Sequence, residues 1–127
     1  MKKIILIGSE GGLGKYYTKN LIKFNKILVV ADIKIKKNLR KGKLVKRKLN
    51  IENEEEVKSF FNEISRLYGK FDVLINNAGL TNDGIQKIKK KKYYKEDFDS
   101  EVWDKTINVN LKGTFLACKY FLRFHNQ

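Results

Sequence analysis

The sequence has no proline, one cysteine and one histidine among its 127 residues. The lone thiol, Cys118, excludes an internal disulfide and leaves no second cysteine to share a metal. The only imidazole, His125, reads as a surface residue, and no metal site is expected. Without proline the usual punctuation of loops is missing, so boundaries are read from glycine and asparagine. Long apolar runs are also missing, and none approaches the ~20 residues of a transmembrane helix. The opening Met1-Lys2-Lys3 and the apolar stretch behind it only faintly mimic a signal peptide. That stretch is too short, and Gly8-Ser9-Glu10 follows in place of a small-residue cleavage site. A cytoplasmic protein with no membrane association is therefore expected. Arginine is scarce, with only Arg40, Arg47, Arg66 and Arg123, although the net charge is +14. Phosphate and base recognition draw on arginine forks, and lysine charge alone supplies only the sequence-independent part of nucleic-acid binding. The densest basic run, Lys87 to Lys95 with Tyr93 and Tyr94, reads as a solvated loop, and no specific nucleic-acid partner is expected.

What the chain does have begins at residue 4. Ile4 to Ile7 is apolar throughout and fits a strand covered on both faces. Gly8-Ser9-Glu10-Gly11-Gly12-Leu13-Gly14 follows, and then an apolar pattern at helical spacing, Leu13, Tyr17, Leu21 and Phe24. Strand, glycine turn and helix in that order place backbone N–H groups and the positive end of a helix dipole at the end of a buried strand, where a phosphate is favoured. Gly8 permits the tight turn, Gly12 lets backbone approach a pyrophosphate, and Gly14 lets the helix pack closely on the strand. A glycine-rich turn without a ligand is the alternative for this motif taken alone.

Ile27 to Ala31 reads as a second buried strand, and it ends in Asp32, 18 positions after Gly14. An acidic residue there is placed to accept from both hydroxyls of an adenosine ribose. Residues 33–42 suggest a short helix or an irregular crossover. Leu44 to Ile51 reads as a third strand whose lysines, Lys46 and Lys48, suit a sheet edge. Residues 53–68 form the clearest helix, with Val57, Phe60, Phe61, Ile64 and Tyr68 on one face, Asn53 as cap and Gly69 as stop. Phe71 to Ile75 is a fourth strand, ending in Asn76-Asn77-Ala78-Gly79. Right-handed crossovers then build an α/β fold, a Rossmann-type parallel sheet of order 3-2-1-4 with flanking helices. That order puts Gly79 beside the glycine turn in one crevice. Residues 80–99 are expected to loop over the crevice. From Ser100 to Phe124 one long helix is expected, buried along Trp103, Ile107, Leu111, Thr114, Cys118 and Phe121, with Asn110 on or beside that stripe and Asn108 pointing away.

Taken together these residues resemble the short-chain dehydrogenase/reductase family. The glycine turn, Asp32, the Asn76-Asn77-Ala78-Gly79 signature and Trp103-Asp-Lys-Thr-Ile-Asn-Val-Asn110-Leu-Lys-Gly113 stand in the family's order. The resemblance covers essentially the whole chain, residues 1–127, as a single but incomplete NAD(P)-binding domain. It implies that Gly8, Ser9, Glu10, Gly12, Leu13, Gly14, Asp32, Ile33, Asn50, Ile51, Asn77, Ala78 and Gly79 bind the coenzyme and that Asn110 is the family's catalytic asparagine, supporting a water in its proton relay. Asp32, with Gly11 where NADP-preferring relatives often carry a basic residue, points to NAD rather than NADP. Ile7 replaces a common threonine, and Asn50 replaces the usual aspartate near the adenine, where its amide oxygen can still accept.

The largest departure is chemical. The family works with a serine and a Tyr-x-x-x-Lys pair, the tyrosine acting as acid/base on the substrate oxygen. None of Tyr16, Tyr17, Tyr68, Tyr93, Tyr94 and Tyr120 has a lysine four positions on. A phenol near its reference pKa of about 10 is a poor base at neutral pH. The expectation is the N-terminal half of an NAD-dependent oxidoreductase acting on a small alcohol or carbonyl substrate, truncated before the fifth strand and inactive as these residues alone. A homo-oligomer, or a missing C-terminal half, is the expected partner. A stand-alone nucleotide-binding or partner-binding module is the other reading.

Overall fold

The computed structural model describes residues 1–80 and 100–125. The expected loop over the crevice, with its lysine run, lies almost wholly outside the described residues. β1 (Lys3–Ile7), α1 (Gly12–Leu21), β2 (Ile27–Asp32), β3 (Leu39–Lys41), β4 (Leu44–Lys48), α2 (Glu54–Tyr68) and β5 (Val73–Asn76) come first; α3 (Ser100–Ile107) and α4 (Thr114–His125) follow, joined by a π-helical stretch, Asn108–Gly113. The sheet order is β3-β4-β2-β1-β5. Its four parallel strands stand in the order expected from the sequence, with β1 between β2 and β5 and β4 outside β2.

β3 is the difference. It pairs antiparallel with β4 around Gly42, whose φ of +58° reverses the chain. Residues 33–42 thus contribute a short strand, and β4 is not the sheet edge. Leu39, Arg40 and Lys41 are all exposed. The edge beyond β4 is therefore taken by a strand of three residues, a length and charge that discourage pairing with another chain, and β5 forms the opposite edge among the described residues.

The period of two along the strands sorts side chains to two faces. Ile5, Ile7, Val29, Ala31 and Val45 face α2 and α4 and join Val57, Phe60, Phe61, Ile64, Leu116, Ala117 and Tyr120 in the larger core. Ile4, Leu6, Leu28 and Val30 face the other way, with Ile35, under Tyr17, Leu21 and Ile22. α2 begins as the sequence indicates: Asn53 Oδ1 accepts from the Glu56 N–H at 3.1 Å, and three glutamates stand in the first turn. The Glu56 carboxylate reaches back to the N–H of Asn50 at 3.0 Å, which ties the start of the crossover after β4 to the helix.

The helical region after Ser100 differs from expectation in phase. Trp103, Leu111 and Phe115 are 57%, 65% and 60% exposed, and Cys118 is exposed too. The face turned to the sheet carries Val109, Gly113, Leu116, Ala117 and Tyr120. Two apolar stripes run along this region, and the bulkier one is outside. The reason is distance. A Cβ at Gly113 would lie 2.9 Å from Ile51 Cγ2, so only a residue without a side chain lets the helix come that close. Among the described residues no helix is long and apolar enough to cross a membrane.

α2 and α4 are also joined by charge. Glu54 Oε1 accepts from Lys119 Nζ at 2.7 Å and from the Tyr120 hydroxyl at 2.8 Å. Bonded chiefly to the Lys119 ammonium and then to the Tyr120 hydroxyl, the Glu54 carboxyl is held below its ordinary value of 4.5. Its bond to Glu54 raises Lys119, and the same partner raises Tyr120, whose phenol is kept protonated. A depressed carboxyl contributes stability that is present above its unfolded value and lost as pH falls through the folded one. The clasp should therefore act at neutral pH and fail in acid. In urea melts the stability gap between the wild-type chain and Glu54→Gln should be largest near pH 7 and shrink steadily below pH 4.5. A gap that stays constant into acid would place the carboxylate outside the folding equilibrium.

Candidate functional site

The carboxyl ends of β1, β2 and β5 border a cleft of about 360 Å³. Its floor is built by backbone packing. Gly8, at φ +89°, would place a Cβ 2.4 Å from the N of Ala78, and a Cβ at Gly14 would lie 2.1 Å from Gly8 O. The turn after β1 thus meets the segment after β5 on one side and its own helix on the other, with no room for a side chain at either contact. Asn77 closes the joint: its Nδ2 donates to Gly8 O at 2.8 Å and its N–H to Ile7 O at 2.9 Å. On the far side the Gly8 N–H donates to Ala31 O at 2.8 Å.

Above this joint the turn is open. A Cβ at Gly11 or Gly12 would meet no atom within 4 Å. α1 starts at Gly12 with no side-chain cap and no acidic residue in its first turn. Uncapped N–H groups of a helix beginning, beside free space, suit an oxyanion. This donor set and this space fit the phosphates of a dinucleotide.

Asp32 ends β2 at the mouth of the cleft. Its Oδ2 accepts from the Glu10 N–H and its Oδ1 from the Lys34 N–H, both at 2.9 Å. The carboxylate is fixed in orientation, yet each oxygen keeps a lone pair for a further donor. Glu10 itself pairs with Lys46, Nζ to Oε1 at 3.4 Å.

At the other end of the cleft Asn110 faces the segment after β5. Its Oδ1 accepts from the Leu80 N–H at 2.7 Å and its Nδ2 donates to Leu80 O at 2.9 Å. Both atoms of the amide are thereby engaged with one residue of backbone. The Asn110 carbonyl accepts from Thr114 Oγ1 at 2.9 Å within the π-helical stretch.

Of the residues singled out in the sequence, Gly8, Asp32, Ile33, Asn50, Ile51, Asn77, Ala78 and Gly79 line the cleft. Ser9 and Gly14 lie buried beneath the turn, Gly12 and Leu13 stand exposed at the start of α1, and Glu10 stands behind Asp32. Asn50 spends its amide oxygen on the Glu52 N–H at 3.1 Å, leaving that oxygen one further acceptor position. Sequence reading missed Leu49, Glu52, Leu80 and Lys105, which complete the wall with Gly11, Lys34, Ile7 and Val109. Lys105 arrives through the packing of α3, and no local pattern marks it. Among the described residues no group of three metal-ligating side chains occurs.

Comparison with known proteins agrees with this geometry. The family model of the short chain dehydrogenases matches residues 2–127. The 3-oxoacyl-(acyl-carrier-protein) reductase FabG of Thermotoga maritima is 32% identical over 123 residues, covering 90% of this chain and 46% of that protein. An NAD-dependent glycerol dehydrogenase of Listeria innocua is 28% identical, over 93% of this chain and 45% of its own length. Among solved structures, a short-chain dehydrogenase/reductase from Serratia marcescens superposes with a TM-score of 0.78 at 20% identity, covering 98% of this chain and 52% of that one. The chain spans about half the length of the curated relatives it matches. A match across nearly all its residues, on a sheet whose glycine turn and Asn77 close one crevice, makes this chain a member of the short-chain dehydrogenase family.

Proposed function

We propose that these residues form the coenzyme-binding half of an oxidoreductase that uses NAD in preference to NADP and acts on a small alcohol or carbonyl compound. The observation that carries the reading is the fixed carboxylate of Asp32, held by two backbone N–H groups beside an uncapped helix start. In this reading the first-turn N–H groups of α1 hold the pyrophosphate over Gly11 and Gly12. Asp32 accepts from the adenosine ribose hydroxyls, and its charge repels a 2′-phosphate. Ile33, Asn50 and Ile51 flank the adenine, and Asn77 to Gly79 line the path toward the nicotinamide. When bound, the nicotinamide supplies the hydride acceptor or donor. Asn110 positions the backbone at Leu80, and with it the wall at that end of the crevice; its relay role is the one the family implies. The proton donor is the part these 127 residues lack, since no Tyr-x-x-x-Lys occurs in them. The NAD-dependent relative from Listeria supports the choice of coenzyme.

The exposed stripe of Trp103, Ile107, Leu111, Phe115 and Leu122 is the association surface in this reading. Contiguous apolar surface of that kind marks an interface, here with a second copy or with the remaining half of the protein.

Titration of the chain with both coenzymes should show NAD binding more tightly. Asp32→Asn keeps an acceptor oxygen but loses the charge. It should weaken NAD about tenfold or more, the loss expected for charged hydrogen bonds, and narrow the preference. Tighter binding of NADP by the wild-type chain would overturn the assignment. Incubated alone with secondary alcohols and ketones, the 127-residue chain should produce no change in NADH absorbance; turnover abolished by Asn110→Ala would reveal another proton donor. On size exclusion the chain should elute as an associated species, and Phe115→Ser with Leu122→Ser should shift it toward monomer.

A further inference from the structure

The side-chain pair between Glu10 and Lys46 lies directly behind the carboxylate that faces the ribose in this reading. Lys46 sits on β4, beside Val30, two positions before the residue paired with Asp32. Leu28, Val30, Leu44 and Lys46 therefore share the α1 face of the sheet with Asp32. Glu10 is drawn to the same point by its own backbone, whose N–H donates to Asp32 Oδ2 at 2.9 Å. Its Oε1 takes the Lys46 ammonium at 3.4 Å, and the Ser9 hydroxyl points to the same oxygen at 3.5 Å. The side chains of Lys46 and Glu10 are only 33% and 25% exposed, so their charges are less screened than those of a pair in open solvent.

We propose that Glu10 sets which nicotinamide dinucleotide the crevice accepts, by holding the Lys46 ammonium away from the ribose 2′ position; the proposal rests on the dinucleotide reading above. A 2′-hydroxyl brings no charge to this point, whereas a 2′-phosphate brings about −1.5 to −2 at neutral pH. A phosphate there faces the Asp32 carboxylate, with the Glu10 carboxylate behind it. The Lys46 ammonium is already compensated by Glu10. Glu10 thus acts against NADP twice, through its own charge and through the lysine it occupies. Lys34 lines the cleft beside Asp32 and is common to the wild-type chain and the Glu10→Gln and Lys46→Met variants, so it does not alter the comparison between them.

The two partners therefore act in opposite directions. Glu10→Gln frees the Lys46 ammonium and removes one negative charge, which favours the phosphorylated coenzyme. Lys46→Met uncovers the Glu10 carboxylate and disfavours it further. A purely structural pair would weaken both coenzymes together, whichever partner is lost.

The test is calorimetric titration of the wild-type chain and both variants with NAD and with NADP, at low and at raised salt, with thermal melting as the check on folding. The ratio of the NADP to the NAD dissociation constant should fall about tenfold in Glu10→Gln and rise about threefold in Lys46→Met, on the scale of one charge at close range. Both shifts should shrink as salt is added. A ratio that stays put in both variants, or moves the same way in both, overturns the proposal while leaving the dinucleotide site intact. If the folded wild-type chain binds neither coenzyme, the dinucleotide reading fails and takes this proposal with it.

Discussion

Three stretches of backbone meet at the carboxyl end of β1, and the Asn77 amide binds them together. Gly8 touches Ala78, Gly14 touches Gly8, and the N–H of Gly8 reaches across to Ala31. The contact distances leave no space for a single methyl group at Gly8 or Gly14. The floor of the site follows from that closeness. It brings the end of β5 next to the start of α1, and it brings Glu10 within hydrogen-bond reach of Asp32. It also explains why Gly11 and Gly12 differ from their neighbours: they face open space, so only what lies above them gains from their lack of a side chain.

The helices on the opposite face are held by different means. Phe61, Ile64, Leu116 and Ala117 bury apolar surface, and the Glu54, Lys119 and Tyr120 cluster adds directional bonds at the rim. The close approach of the helical region after Ser100 to the sheet depends on its small residues. Gly113 and Ala117 let the helical region descend onto Ile51 and the sheet, with Leu116 and Tyr120 buried beside them, while Trp103, Leu111 and Phe115 are left facing out.

Much of this was legible in the sequence because it is written locally. Apolar runs such as Ile4 to Ile7 and Ile27 to Ala31 can hardly be anything but buried strands, and Asn53 with three glutamates behind it announces a helix. β3 was hidden because Leu39, Arg40 and Lys41 bury nothing, and a single Gly42 does not declare its φ. The buried stripe after Ser100 was misplaced because periodicity weighs bulk, whereas close approach is decided by the absence of it. At the site, the sequence marked a motif without separating its parts. Ser9 and Gly14 shape the turn from below, Gly8 and Asp32 face the cleft, and Lys105 and Leu80 join only through the fold.

The two faces of the sheet are unequally loaded, and α1 is on the lighter one. Its one buried residue is Gly14; Leu13 and Tyr16 stand in solvent, and the apolar cluster beneath is much the smaller of the two. Elements with few buried contacts open first in local unfolding, well before the core is disturbed. The helix whose N–H groups would grip an anion thus has little apolar anchorage of its own. A ligand bound at its start closes the deficit by mass action, since it binds only the closed form. Amide exchange in α1 is then a gauge of occupancy, and the grip on the ligand and the rigidity of the helix are one equilibrium seen from two sides.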